Sequence, residues 1–122
     1  MNIVDSSGWL AYFADEPNAK HFISPLNDTT SLVVPTVTIY EVFKVVRRES
    51  GENEALQAAV AMRKGTVVDL TAALAIAASK LSLEHNLPMA DSIVYASACC
   101  EGCQVVTSDP HFSGLEDVIF VK

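Results

Sequence analysis

The amino-acid sequence predicts an α/β protein built on an open parallel sheet with helices on both faces. Short apolar runs alternate with helical patterns along all 122 residues, which is typical of parallel α/β folds. Half of the residues are hydrophobic and 19% are charged, as expected for a globular chain. A chain of this length fits one hydrophobic core, so we expect a single domain over residues 1–122.

Short apolar runs predict the strands. They lie at residues 2–5, 31–35, 66–70, 104–107 and 118–121. Most of these runs contain Val or Ile and are bounded by Gly, Pro, Asn, Asp or Ser, the composition that strands and their flanking turns favour. Because helical segments separate consecutive runs, the five strands are expected to be parallel.

Helical patterns fill the segments between the strands. Residues 6–8 can cap a first helix that carries Trp9, Leu10 and Phe13 at helical spacing. Further helices are predicted through residues 21–23, 36–48, 55–62, 72–83 and 90–101. The Ala-rich helix at 72–83 is apolar around most of its surface, so we expect it to be packed on both sides.

The charge of the chain argues against a simple nucleic-acid binder. The net charge of −7 comes from 15 acidic residues against 8 Lys and Arg. Such a surface repels nucleic acid and gives none of the steering that a basic surface gives. This objection weakens if bound metal neutralises several acids, or if a basic partner covers the acidic surface.

The N-terminus and the cysteines indicate a cytoplasmic protein. No apolar run approaches the ~18 residues of a membrane span, and the first residues lack the basic and apolar regions of a signal peptide. Cys99, Cys100 and Cys103 have no second Cys or His cluster with which to form a zinc site. We expect them to be small buried residues that pack a helix end.

Four acidic residues lie where strands give way to helices or turns: Asp5, Glu41, Asp91 and Asp109. In open parallel sheets, ligands bind outside the carboxyl ends of the strands. Carboxylate oxygens without sulfur or clustered histidine suit Mg²⁺ or Mn²⁺ rather than zinc. The four acids therefore predict a metal site at one edge of the sheet.

Each acid also has a structural explanation that needs no metal. Asp5 and Asp91 could cap helices or complement their dipoles, and Asp109 could make a turn before Pro110. Glu41 follows Thr38 by three residues, the spacing of a capping box. Four separate caps at one edge are a less economical account than one metal site.

Four motifs carry a resemblance to a known family. They are Val4-Asp5-Ser6-Ser7, Tyr40-Glu41-Val42, Leu87-Pro88-Met89-Ala90-Asp91-Ser92 and Thr107-Ser108-Asp109-Pro110-His111-Phe112. The ordered set covers essentially the whole chain and resembles PIN-domain ribonucleases, most closely the VapC-type toxins of bacterial toxin–antitoxin pairs. The resemblance implies a three-layer α/β/α fold with a five-stranded parallel sheet.

The same resemblance implies an activity and its residues. It implies cleavage of RNA with Mg²⁺ or Mn²⁺, a cognate antitoxin that inhibits the enzyme, and a homodimer. Asp5, Glu41, Asp91 and Asp109 become the catalytic, metal-binding acids. Ser6 and Thr107 become hydroxyls that orient these ligands. His111 stands where many relatives carry an acid; we assign it no role and expect a surface turn residue.

Basic residues on the third helix could hold RNA against the net charge. Glu41, Lys44 and Arg48 lie on one stripe of the helix, with Arg48 about 10 Å along the axis from Glu41. We expect Lys44 and Arg48 to contact RNA phosphates. Alternatively, these side chains and that of Arg47 complement the C-terminal end of the helix.

An apolar group near the N-terminus could bind a partner. Its members are Trp9, Leu10, Tyr12, Phe13 and Phe22. They could form an antitoxin groove or a dimer face, although we expect most of them to pack in the core.

Two other classes of function compete with a nuclease. A phosphorylated receiver domain would use Asp69 as phosphoacceptor and Thr107 as its hydroxyl, but Asp5 lacks a second acid beside it and Lys122 is the last residue. We expect Asp69 to cap the following helix instead. A PIN-like module that binds a partner without catalysis is the other alternative, and the presence of all four acids opposes it.

Overall fold

Five parallel strands form the sheet of the computed structural model, which describes residues Met1–Lys122. The strands are β1 (Asn2–Val4), β2 (Leu32–Pro35), β3 (Thr66–Val68), β4 (Gln104–Thr107) and β5 (Val118–Phe120). Their order in the sheet is β3-β2-β1-β4-β5, and every neighbouring pair is parallel. The predicted five-stranded parallel sheet is therefore confirmed.

Helices cover both faces of this sheet. They are α1 (Ser6–Phe13), α2 (Lys20–Asn27), α3 (Thr36–Ser50), α4 (Glu52–Met62), α5 (Ala72–His85) and α6 (Met89–Glu101). Side chains alternate along a strand, so Val4 and Val106 pack with α1–α4, whereas Ile3 and Val105 pack with α6 on the other face. The fold has the expected α/β/α layers. None of the helices is both long enough and apolar enough to cross a membrane.

The direction of strand addition reverses beside β1. The chain adds β2 and β3 on one side of β1 and then returns to place β4 on its other side. At such a switch point the connections leave in opposite directions, and a crevice opens at the carboxyl ends of the two strands. Asp5 directly follows β1, and Asp109 lies two residues beyond β4.

The strand order excludes the receiver alternative. Receiver-type sheets have the order 2-1-3-4-5, in which the third strand borders the first. Here β3 is an edge strand that β2 separates from β1. Asp69 is exposed after β3, and the cap of α5 is Thr71, whose hydroxyl accepts a 3.2 Å hydrogen bond from Leu74 N. The predicted cap at Asp69 is wrong because α5 begins at Ala72.

Helix α5 is packed on one side only, so the expectation of two buried sides is wrong. Leu74 and Ala78 are buried against α6. Ile76 is 60% exposed and Leu83 is 88% exposed. The chain supplies no further layer outside α5, and the outer apolar residues therefore face solvent.

The cysteines also differ in part from expectation. Cys103 is buried in the core behind β4, but Cys99 and Cys100 are exposed at the end of α6. The buried face of α6 is continuous from Ser92 to Ala98 and ends there. Only Cys103, which follows the turn at Gly102, is a buried packing residue.

Candidate metal centre

Asp5 is the most buried of the four acids, with 2% of its surface exposed. It caps α1, and its Oδ1 accepts hydrogen bonds from Ser7 Oγ at 2.7 Å and from Gly8 N at 3.4 Å. Burial raises the pKa of Asp5 to about 6, and repulsion from Asp109 adds to the rise, while the bonds from Ser7, Thr107 and Gly8 oppose it. Asp5 therefore caps α1, and its burial makes the ionised form of its carboxyl group less favourable than in water.

Glu41 lies inside α3 and has no capping role. The helix begins at Thr36, so Thr38 is an internal residue, and its buried hydroxyl has no hydrogen-bond partner. The capping-box explanation is therefore wrong. Burial raises the pKa of Glu41, and Asp109 raises it further, whereas Ser6 and the ammonium of Lys44 lower it.

Asp91 and Asp109 meet at the side chain of His111. Asp91 lies in the first turn of α6 but makes no capping hydrogen bond. Its Oδ2 lies 3.3 Å from His111 Nδ1, and Asp109 Oδ1 lies 2.9 Å from the same nitrogen. Asp109 Oδ1 also accepts a 2.9 Å bond from His111 N, so the predicted turn at Asp109 exists as well.

The charges of these groups act on one another. Burial and then Asp109 raise the pKa of Asp91 to about 7, Asp5 adds to the rise, and His111 opposes it. Asp109 repels the carboxyl groups of Asp5, Glu41 and Asp91 alike. Asp109 is therefore within electrostatic reach of the other three acids, while ligand atoms within 4.8 Å of one another come from Asp91, Asp109 and His111. A divalent cation beside these acids would stabilise their ionised forms. Their oxygen-rich donor set fits Mg²⁺ or Mn²⁺.

The residues whose hydroxyl groups contact the acids are only partly those that were predicted. Thr107 is fully buried, and its Oγ1 accepts a 2.9 Å hydrogen bond from Asp109 N. Ser6 faces Glu41, whereas Ser7, which the sequence did not single out, donates to Asp5 and accepts a 3.1 Å bond from Ser108 N. His111 is, as expected, an exposed residue of the turn after Asp109. The sequence analysis did not predict that its ring contacts Asp91 and Asp109, although its position two residues after Asp109 was an available signal.

The two predicted RNA-binding residues have different surroundings. Lys44 is exposed, and its Nζ lies 5.7 Å from the centre of the Tyr40 ring. Its positive charge lowers the pKa of Glu41. Arg48 Nη2 lies 3.2 Å from Glu49 Oε1 in an exposed pair. Arg47 pairs with Glu52 at 2.9 Å, between α3 and α4. Lys44 is therefore beside the cluster, and Arg48 lies in the last turn of α3.

The structure is a parallel α/β/α domain with acidic residues just beyond the carboxyl ends of its two central strands. The chain belongs to the PIN domain family, whose family model matches residues 3–118. No curated protein matches the sequence.

Solved structures share this fold over nearly their whole length. A chain of a toxin–antitoxin complex from Klebsiella pneumoniae has a TM-score of 0.83 and 17% identity, covering 98% of this chain and 96% of that one. The sarcin-ricin loop cleaving toxin VapC20 of Mycobacterium tuberculosis has a TM-score of 0.79 and 20% identity, covering 95% of both chains. A chain of the DNA-bound VapBC complex of Salmonella typhimurium has a TM-score of 0.77 and 16% identity, covering 98% and 95%.

Proposed function

We propose that this PIN domain is a ribonuclease that requires Mg²⁺ or Mn²⁺ and acts as the toxin of a toxin–antitoxin pair. One observation carries the proposal: Asp109, just beyond β4, lies close enough to Asp5, Glu41 and Asp91 to raise the pKa of each, and ligand atoms of Asp91 and Asp109 lie within 4.8 Å of each other. Neither Glu41 nor Asp91 makes a capping hydrogen bond. Asp91 does lie in the first turn of α6, where the helix dipole favours a carboxylate, whereas Glu41 lies inside α3. Membership of the PIN domain family and the fold shared with VapC20 add support.

The proposed chemistry is hydrolysis of RNA phosphodiester bonds. A bound divalent ion supplies charge neutralisation at the phosphate and activates water for attack on phosphorus. Asp5, Glu41, Asp91 and Asp109 hold the ion. Ser7 and Thr107 fix the carboxyl group of Asp5, and Ser6 acts on Glu41 in the same way. No side chain is needed as nucleophile.

Substrate contact would come from α3. Lys44 lies beside the acids, and Arg48 continues the same stripe toward the end of the helix. Both side chains could bind phosphate oxygens of an RNA strand that enters the crevice. Because the net charge is −7, these local cations matter more than they would on a basic protein.

A cleft of about 470 Å³ between α1, α3 and α4 is the proposed antitoxin site. Its walls include the half-buried apolar side chains of Leu10, Phe13, Val45 and Val46, and Glu16, Glu49 and Glu54 also line it. An apolar surface bordered by acids fits a basic amphipathic segment. Trp9 and Phe22, in contrast, are buried in the core.

The expected homodimer would use another surface. The exposed apolar residues on α5 and at the start of α6, Ile76, Leu83 and Met89, form the candidate face. If it is the dimer face, Leu83→Lys should give a monomer in sedimentation equilibrium. Leu56→Lys, at an exposed leucine of α4, should leave a dimer.

The decisive experiment compares purified wild type with Asp5→Asn and Asp91→Asn. Wild type should cut RNA with Mg²⁺ or Mn²⁺, lose activity in chelator and arrest growth when expressed. Both variants should be inactive. Asp69→Asn removes an exposed acid outside the cluster and should behave as wild type. Equal activity in the Asp5 and Asp91 variants, or activity that survives chelation, would refute the proposal.

A further inference from the structure

Three potential ligand atoms lie together at one side of the acid cluster. They are Asp91 Oδ2, Asp109 Oδ1 and His111 Nδ1, and they lie within 4.8 Å of one another. The imidazole nitrogen lies 2.9 Å from the oxygen of Asp109 and 3.3 Å from that of Asp91. Adjacent ligands of an octahedral ion, with bonds of ~2.1 Å, are separated by about 3 Å. Both distances fit neighbouring ligands around one ion. Without an ion, the 2.9 Å contact is a hydrogen bond between the ring and Asp109, and the 3.3 Å contact is an ion pair with Asp91 when the ring is protonated.

The backbone holds His111 in this place. Pro110–Phe112 forms a 3₁₀ turn that Asp109 caps through the N–H of His111. Phe112 is fully buried in the core next to Tyr95, so the turn is anchored on one side of the histidine. Asp109 Oδ1 therefore contacts both the backbone and the ring of the same residue.

The chemistry of an imidazole differs from that of a fourth or fifth carboxylate. Imidazole nitrogen suits first-row transition metals, whereas Mg²⁺ prefers oxygen ligands. For a given site with nitrogen ligands, affinity rises from Mn²⁺ to Co²⁺ along the Irving–Williams order. A nitrogen donor among the acids would bias the site away from Mg²⁺.

We propose that His111 is a metal ligand through Nδ1, and that with Asp91 and Asp109 it makes the centre selective for Mn²⁺ or Co²⁺ over Mg²⁺. The inference rests on the proposed function, because it requires that the acids bind a divalent ion. It adds a ligand and a direction of metal preference that the four carboxylates do not imply.

The test measures metal binding directly by isothermal titration calorimetry on chelator-stripped protein, with MnCl₂, CoCl₂ and MgCl₂. His111→Asn keeps a hydrogen-bond donor near Asp109 but removes the imidazole. We expect it to lose about tenfold or more in affinity for Mn²⁺ and Co²⁺, with a much smaller change for Mg²⁺. His111→Asp supplies an oxygen ligand and should bind Mg²⁺ well while its Mn²⁺-to-Mg²⁺ affinity ratio falls below that of wild type. His85→Asn, at a histidine beside Glu84 on α5, should match wild type.

The outcomes separate this inference from the proposed function. If Asp5→Asn and Asp91→Asn lose metal while both His111 variants keep wild-type affinities and ratios, His111 is not a ligand and the nuclease proposal stands. If wild type binds none of the three metals, both proposals fail. Thermal melts in chelator, compared with wild type, show that each variant is folded before it is titrated.

Discussion

Ser7 donates a 2.7 Å hydrogen bond to the buried carboxyl group of Asp5. The same hydroxyl accepts a bond from Ser108 N, which follows β4, so one side chain joins the ends of the two central strands. The acid at the end of β1 is thereby fixed relative to the loop that carries Asp109.

Ser7→Ala should weaken the metal centre without altering its acids. Asp5 would lose a donor, and Ser108 N would lose its acceptor, which costs about 1–3 kcal/mol of stability when such groups are buried. The pKa of Asp5 should rise further above about 6, so metal affinity at pH 7 should fall more than at pH 8. Calorimetric titration at both pH values and urea denaturation check this. Ser7→Cys has a similar size with a weaker donor and should lie between wild type and Ser7→Ala; equal affinity in all three would contradict the role.

The metal-free protein should become less stable as pH rises from about 4 to about 7. The pKa of Asp5 is raised from 3.8 to about 6 and that of Asp91 to about 7. In that range the folded state binds more protons than the unfolded state, so the free energy of unfolding falls with pH. For Asp5 the difference corresponds to roughly 3 kcal/mol.

Asp5→Asn isolates this effect, because it keeps an acceptor for Gly8 N and removes the charge. Urea denaturation in chelator should show the variant gaining stability over wild type between pH 4.5 and 7. Saturating Mn²⁺ should stabilise wild type at pH 7, by about 2.7 kcal/mol at a hundred times Kd. A stability difference between the two proteins that does not change with pH would show that burial does not perturb Asp5.

Lys44→Ala and Arg48→Ala should each reduce RNA affinity and its salt dependence. Removing one phosphate contact lowers the slope of log K against log salt by about 0.7 for a single strand. Fluorescence anisotropy in the Asp91→Asn background measures binding without cleavage. Arg47→Ala is the control, since Arg47 lies off the stripe that Glu41, Lys44 and Arg48 share on α3. If all three variants lose affinity equally, the cations act only through net charge.

Val45→Asp should abolish antitoxin binding while RNA cleavage persists, lowered no more than by Lys44→Ala, because the added negative charge lies beside Lys44 on α3. Val45 is half-buried in the cleft between α1, α3 and α4, and a carboxylate there would be desolvated by an apolar partner segment. Co-purification with the antitoxin and rescue of growth on co-expression measure the effect. Val60→Asp, at an exposed valine of α4 that does not line the cleft, should bind normally; loss of binding in both variants would place the partner elsewhere.

The sequence predicted best those residues of the candidate site that come directly after a strand. Asp5 and Asp109 follow strands almost immediately, so strand order alone brings them together. The choice between Ser6 and Ser7 depends on the rotation of α1 by one residue, about 100°, which no pattern of two adjacent serines specifies. His111 is the expected surface turn residue, but its contacts with Asp91 and Asp109 were not predicted, because the sequence does not show which way the side chains of a turn face.

The extent of packing was harder to predict than the elements themselves. The apolar surface of α5 predicted burial on two sides, yet Leu83 is exposed. The prediction failed because apolar composition does not show whether another layer of the fold covers the outer side of the helix. Thr38 shows that the exact start of a helix is also hard to predict from the sequence. Its spacing from Glu41 matched a capping box, but the start of α3 at Thr36 makes Thr38 internal.

The pairing of β1 with β4 has a consequence for the synthesis of the chain. Asn2 pairs with Gln104, and Val4 with Val106, so β1 has no partner on this side until β4, about a hundred residues later, has been made. Asp5 has no Asp109 beside it until that moment. A nascent or truncated chain that lacks residues 104–109 therefore cannot place Asp109 beside Asp5, and a cell that makes this protein meets the full set of acids only after β4 and the turn that follows it have been synthesised.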